Sequence, residues 1–266
     1  MDILNQYIQI NKTLWNKRTE THIQSDFYDV DGFIKGKSSL NEIELELLGD
    51  VKGKKILHLQ CHFGQDTLSL ARMGAIATGV DLSDKSIEFA NELASKIGVD
   101  ATFICCDIFD LKQHLNDKFD IVFTTYGTIG WLPDLNKWAD IISHFLKPQG
   151  KLVFADFHPF VWMFDDNFDK VAYNYQLEEP IIEHESGTYT NSEADINLQS
   201  VGWNHSISEV LMSLLNQNML LENMQEYDYS PYNCFQNMIE FEKGKYRIGK
   251  MGNKIPLVYS LVFVKK

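Results

Sequence analysis

The alternation of apolar and polar positions is clearest over residues 55–81, KILHLQCHFGQDTLSLARMGAIATGVD. Ile56, Leu57 and Leu59 form a short apolar run between GKK and Gly64, which predicts a strand over 55–60. Leu68, Leu70 and Ala71 recur at helical spacing within 65–73, and a second strand-like run covers 75–80. A helix between two buried strands is a right-handed βαβ unit, and ligands of such sheets lie beyond the carboxyl ends of the strands. The pattern continues downstream. Ser83 is placed to cap a helix over 84–97, with Ile87, Phe89, Ala90, Leu93, Ala94 and Ile97 facing inward and Gly98 as the stop. ATFICC (101–106) and FDIVFTT (119–125) predict a third and a fourth strand. A helix follows over 133–146, then the turn KPQG and a fifth strand over 151–156. Strands alternating with helices at this spacing predict an α/β fold, a mostly parallel sheet with helices on both faces.

The flanks are less regular. Residues 1–40 read as one or two short helices and a loop, and 40–48 as a helix ended by Gly49. Residues 157–200 are aromatic and acidic, with extended segments at 180–184 and 186–201. A helix is expected at 206–216, with Ser206 or Ser208 as its cap, and strands at 220–229 and 257–264. One domain over 1–266 is expected: a helical segment 1–49, a core 50–157, an insertion 158–204, and a last helix and two strands over 205–266.

The formal net charge of −13 disfavours nucleic-acid phosphate or an anionic membrane as partner, because both call for a basic surface. No run of 18 apolar residues occurs, so no transmembrane helix is expected. The start, MDILNQYIQINKTLWNKR, lacks the basic and apolar regions of a secretory signal. Cys61, Cys105, Cys106 and Cys234 then read as reduced thiols in a cytoplasm.

Candidate chemistry falls at the strand ends. The loop 60–66 joins a strand to a helix, where unpaired backbone N–H groups favour electron-rich ligands, and Gly64 permits a positive φ or a close approach. Asp81 ends the second strand, placed to accept hydrogen bonds from both hydroxyls of a ribose; the alternative is a helix cap. Asp107 ends the third strand, suited either to an adenine amino group or to capping the next turn.

The ordered series HLQCHFG, GVDLS, ICCDIF, FDIVFTTYG and FLKPQGKLVF resembles the class I S-adenosylmethionine-dependent methyltransferases, small-molecule type, over roughly residues 50–157. The segments NHSISEVLMSLLNQNMLLENMQEY and LVYSLVFVKK look like that family's late helix, sixth strand and seventh, antiparallel strand. The resemblance implies a Rossmann-like seven-stranded sheet, with the N-terminal segment as a lid and the acidic insertion on the substrate side. The family's first motif reads acid-x-Gly-x-Gly-x-Gly; here the acid is His58, Gln60 and His62 replace two glycines, and Gly64 remains. Either the loop runs differently, with Gln60 and His62 contacting the cofactor, or binding is lost; retained binding is the expectation, because the rest of the series is intact. By position, the resemblance places Gln60, Cys61, His62, Gly64, Gln65 and Asp66 around the methionine part and Asp81 at the ribose. Leu82 and Ser83 then flank the adenine, and Cys106, Asp107 and Ile108 its polar edge. Thr125 and Tyr126 lie near the reacting methyl, and Tyr28, Phe27, Trp15 and Trp131 are candidates to enclose the sulfonium.

Methyl transfer mainly needs alignment and exclusion of water, and a hydroxyl or protonated amine also needs a base. His158, Asp156 and Tyr126 are the candidates, His158 alternatively serving only as a turn residue before Pro159. No metal is expected: there is no C-x-x-C pair, and His58 and Cys61 leave their strand in different directions. The expected activity is methyl transfer to a small-molecule O- or N-nucleophile, by a monomer or homodimer. The alternatives are a non-catalytic cofactor-binding module, which the altered motif favours, and a nicotinamide-dependent oxidoreductase, which the missing G-x-G-x-x-G disfavours.

Overall fold

The computed structural model describes residues 3–176 and 178–266. In chain order the helices and strands are α1 (Ile3–His22), α2 (Val30–Ile34), α3 (Glu42–Leu48), β1 (Lys55–Leu59), α4 (Gln65–Arg72), β2 (Ile76–Asp81), α5 (Asp84–Ile97), β3 (Thr102–Cys105) and β4 (Phe119–Thr125). Then come α6 (Leu135–Phe145), β5 (Leu146–Phe157), β6 (Ile181–Ser186), β7 (Asn197–Gly202), α7 (Ile207–Leu215), β8 (Met219–Tyr227), β9 (Met238–Glu242), β10 (Lys245–Ile248) and β11 (Val258–Lys265).

Seven strands form one sheet in the order β3-β2-β1-β4-β5-β11-β8. The first five run parallel, and β11 lies antiparallel to both β5 and β8. This is the Rossmann-like arrangement expected, with the last strand reversed. Strands in such a sheet are covered on both sides, so their side chains alternate between two apolar layers. Phe119 and Val122 of β4 join Trp138, Ile142 and Phe145 of α6 on one face. Ile121 and Phe123 join Leu48, Val51, Ile56 and Leu70 on the other. The sequence order reverses direction across β1 and β4, so the ligand crevice of the fold opens at their carboxyl ends.

The N-terminus differs from expectation. Residues 3–22 form one 20-residue helix, not short pieces. Its buried positions are Asn11, Leu14, Arg18, Thr19 and His22, a helical stripe that is mostly polar. A hydrophobic period therefore cannot reveal it. Asn11 does the docking by imitating a strand: its Nδ2 donates to the Val201 carbonyl (2.7 Å), and its Oδ1 accepts from the Val201 N–H (2.9 Å). The KPQG segment is a register irregularity within the continuous strand β5, with Gln149 at φ 62°. The acidic insertion forms the antiparallel pair β6–β7, and a second hairpin, β9–β10, turns on Gly244 at φ 71°. No helix among the described residues is long and apolar enough to cross a membrane.

Candidate functional site

The loop after β1 keeps a glycine-type backbone without the glycines. Gln60, His62 and Gly64 have φ of 54°, 50° and 79°. The left-handed region costs an ordinary residue about 1–2 kcal/mol, so Gln60 and His62 must be held there by their surroundings. Cys61 N–H bonds the Val80 carbonyl at 2.9 Å, tying the loop to β2. Gln60 Nε2 donates to the Thr128 carbonyl (2.8 Å), crossing to the loop after β4. His62 Nδ1 lies 3.0 Å from Ser86 Oγ, and its Nε2 lies 2.8 Å from His22 Nδ1. Gly64 cannot be replaced as Gln60 and His62 were: a Cβ there would meet the Phe103 ring at 2.6 Å.

Asp81 closes this loop from the end of β2. Its Oδ2 accepts from His62 N–H (2.8 Å) and its Oδ1 from Ser83 N–H (2.9 Å), while Ser83 Oγ caps α5 through Ser86 N–H (3.0 Å). The cap is thus Ser83, and each Asp81 oxygen keeps a lone pair. Burial raises this carboxyl to about 6, opposed by the backbone N–H groups. Leu82, between these residues, is half-buried. Asp107 bonds Phe109 N–H at 2.9 Å and starts a short 3₁₀ turn over 108–113, with Ile108 buried beneath it. Burial pushes the Cys61 thiol up and the Cys106 thiol to about 12, so neither is a ready thiolate.

The N-terminal helix lies over this edge. Trp15 packs edge-on against His62 and Trp131 at 5.4 and 5.3 Å between ring centroids. The Arg18 guanidinium sits 5.1 Å from the Trp15 ring and 5.5 Å from Trp131, and pairs with Glu185 of β6 at 3.1 Å. His22 reaches Thr188 Oγ1 at 2.8 Å through its second nitrogen. Burial lowers His22 to about 2 and His62 to about 3; the charge of Arg18 adds to both, so the pair is neutral. Tyr28 stacks on His22 at 5.3 Å, and its hydroxyl meets Tyr189 at 2.5 Å. Gln65 holds the Tyr28 carbonyl at 2.9 Å.

The other wall lies at the end of β4. Tyr126 has φ 38°, and its hydroxyl donates to Glu44 Oε2 at 2.9 Å. Tyr232 packs edge-on against it at 5.1 Å. Thr125 is buried beside it, and burial raises the Asp66 carboxyl. Asp156 is committed to the backbone: it accepts from the N–H groups of Gly127, Thr128, Ile129 and Phe157 and from Thr128 Oγ1. His158 has both ring nitrogens engaged. Its Nδ1 accepts from Phe160 N–H (3.1 Å), and its Nε2 meets Glu226 of β8 (2.9 Å), three strands from β4. The structure therefore brings Gln60, His62, Asp81, Tyr28 and Tyr126 to one edge, and His158, just past β5 on the same edge, has its ring engaged by Glu226. Sequence reading passed over Glu44, His22, Arg18, Tyr189 and Tyr232. The one available signal was Asn41-x-x-Glu44, a capping box whose glutamate is fully buried.

The chain is 29% identical over 136 residues to the ubiquinone biosynthesis O-methyltransferase of Coxiella burnetii, covering 50% of this chain and 57% of that protein. The chain thus spans about half the length of the curated relatives it matches. Its fold is that of an S-adenosylmethionine-dependent methyltransferase from Mesorhizobium loti, with TM-score 0.58, 19% identity, and coverage of 87% of this chain and 100% of that one. A second, from Clostridium acetobutylicum, gives TM-score 0.57, 15% identity, and 99% coverage of both. The sequence model of the methyltransferase domain matches residues 50–228, from just before β1 to the end of β8, and the chain belongs to that family.

Proposed function

We propose that this chain is an S-adenosylmethionine-dependent methyltransferase whose acceptor is a small molecule with an oxygen or nitrogen nucleophile. The observation that carries this is the loop after β1. Three left-handed residues keep the backbone path of a glycine loop, and Asp81 stands at the adjacent strand end with lone pairs to spare. The residues present fit the cofactor. Gln60 Oε1 is buried without a partner, an acceptor suited to an ammonium or hydroxyl group. Asp81 suits the ribose hydroxyls, and Asp107 with Ile108 the adenine edge. Aromatic rings of Trp15, Trp131, Tyr28 and Tyr126 border the crevice and suit a cation.

When bound, S-adenosylmethionine supplies a methyl carbon on a cationic sulfur, which departs as a neutral thioether. The chain's part is to align the acceptor, exclude water and receive a proton. Trp15, Arg18 and Tyr28 cover the crevice, and Tyr126 faces the acceptor. Asp156 and His158 shape the loops around it. Four unpaired cysteines fit a reducing cytoplasm.

Calorimetry with S-adenosylhomocysteine tests the assignment. At ligand concentrations of about 1–10 Kd the melting transition is expected to gain roughly 0.4–1.4 kcal/mol. Absence of binding overturns the assignment. Binding without product from a panel of phenols, catechols and amines leaves a cofactor-binding module instead of an enzyme.

A further inference from the structure

We infer that Glu44 is the proton acceptor behind Tyr126, a positioning residue that makes the tyrosine hydroxyl the base for the acceptor substrate. The inference rests on the methyltransferase reading above and adds a residue to it. Glu44 belongs to α3, ahead of the region matched by the family, and is wholly buried. Its two oxygens have separate tasks. Oε1 accepts from the backbone N–H and the Nδ2 of Asn41, at 2.7 and 3.0 Å, which fixes the carboxylate as a helix cap. Oε2 accepts the Tyr126 hydroxyl. Tyr126 is the first residue past β4, at the crevice mouth, in a left-handed conformation that no glycine relieves. Asp156 maintains that conformation by gathering the next backbone N–H groups. The arrangement holds a strained tyrosine with its hydroxyl directed at a buried carboxylate. Helix capping alone explains Oε1 and leaves this second contact unexplained.

Asp66 of α4, Tyr227 of β8 and Tyr232 also face Glu44, and Glu46 lies on its own helix. None of these neighbours is a cation. Burial, then the Asp66 charge, raises Glu44 to about 7, so it can take a proton at neutral pH. The step balances. The acceptor oxygen bonds the methyl carbon as the carbon–sulfur pair returns to sulfur. The acceptor proton moves to Tyr126 Oη, and the tyrosine proton moves to Glu44 Oε2. A positive sulfur and a negative carboxylate both become neutral, which a buried, low-dielectric site favours.

The test uses the full chain. Carbon-13 NMR of labelled glutamate, assigned by difference against Glu44→Gln, reads the Glu44 carboxyl in the presence of S-adenosylhomocysteine. Its midpoint is expected near 7, moving upward in Tyr126→Phe, which leaves the helix cap intact. With catechol or any acceptor of the panel that turns over, wild-type kcat is expected to rise with pH through the same midpoint. In Glu44→Gln that rise is lost, kcat falls about 100-fold and acceptor KM stays within about twofold, while Glu44→Asp recovers part of the rate. A Glu44 midpoint at its ordinary value of about 4.5, or one that Tyr126→Phe leaves in place, overturns the inference; so does an unchanged pH profile in Glu44→Gln. Failure of the wild type to bind S-adenosylhomocysteine overturns the methyltransferase reading instead, and the carboxyl titration decides Glu44 where no acceptor turns over.

Discussion

His22 Nδ1 and His62 Nε2 lie 2.8 Å apart, joining the N-terminal helix to the loop that follows the first strand. Each ring spends its other nitrogen on a hydroxyl, Thr188 for His22 and Ser86 for His62, and Ser86 continues to Thr19 at 2.7 Å. The contact between the rings needs at least one neutral imidazole, because a doubly protonated pair has no acceptor between its rings.

Mild acid is expected to lower the stability of the fold through this pair, which stays neutral while the chain is folded. Both histidines have folded-state pKa values far below their ordinary 6.5, so the unfolded chain binds protons more readily. Their contribution to stability is full above about 6.5 and is lost progressively as pH falls. Glu44 and Asp81, raised to about 7 and 6, act in the opposite direction. The measurable quantity is accordingly a difference: between pH 7.5 and pH 5, the melting temperature of wild type is expected to fall more than that of His22→Gln.

His62→Gly separates backbone strain from side-chain bonding. Glycine removes a left-handed penalty of about 1 kcal/mol. It also removes two hydrogen bonds, each worth about 1 kcal/mol. Global stability should change by no more than about 1–2 kcal/mol, while amide exchange over 3–22 accelerates. The matching change Gln60→Gly cuts the tie to Thr128 and should raise exchange over 126–131 instead. A large loss of S-adenosylhomocysteine affinity in either variant would show that the side chain contacts the cofactor directly.

Asp81→Asn keeps the shape of the strand end and discards the charge. Loss of a charged acceptor for two hydroxyls is expected to weaken S-adenosylhomocysteine binding by about 10–100-fold, read by calorimetry. Because burial opposes ionisation here, the variant should melt within a few degrees of wild type.

Asp156→Ala should behave as a structural lesion. Removing the carboxylate strands four backbone N–H groups and the Thr128 hydroxyl in a buried loop. A loss of about 3–5 kcal/mol in denaturant unfolding is expected. His158→Ala should cost less and leave S-adenosylhomocysteine affinity unchanged, since its ring faces Glu226.

The central strands of the sheet were legible because they are buried on both faces and read as apolar runs; helix α5 was legible because Ser83 and Gly98 mark its ends. Three features were not. The long N-terminal helix docks through Asn11, Arg18, Thr19 and His22, so its buried stripe carries no hydrophobic signal. The β9–β10 hairpin alternates Ile239 and Phe241 with Glu240 and Glu242 for only four residues, too short a run to stand out, and its apolar positions are exposed. At the site, Asp156 and His158 looked alike in sequence, two polar residues at a strand end. What separates them from Tyr126 is their partners, the backbone of 127–129 for Asp156 and Glu226 of β8 for His158, and contacts with other strands and loops leave no trace in local spacing.

The pairing of Asn11 with Val201 spans 190 positions of chain. Arg18 with Glu185 and His22 with Thr188 continue the same seam along the helix. Two segments remote in sequence are thus stitched together at three points. Helix and hairpin are thereby coupled as one body, and what resists their displacement is not this seam but the contacts that tie the helix to the rest of the fold, His22 with His62, Thr19 with Ser86 and Asn16 with Ser83.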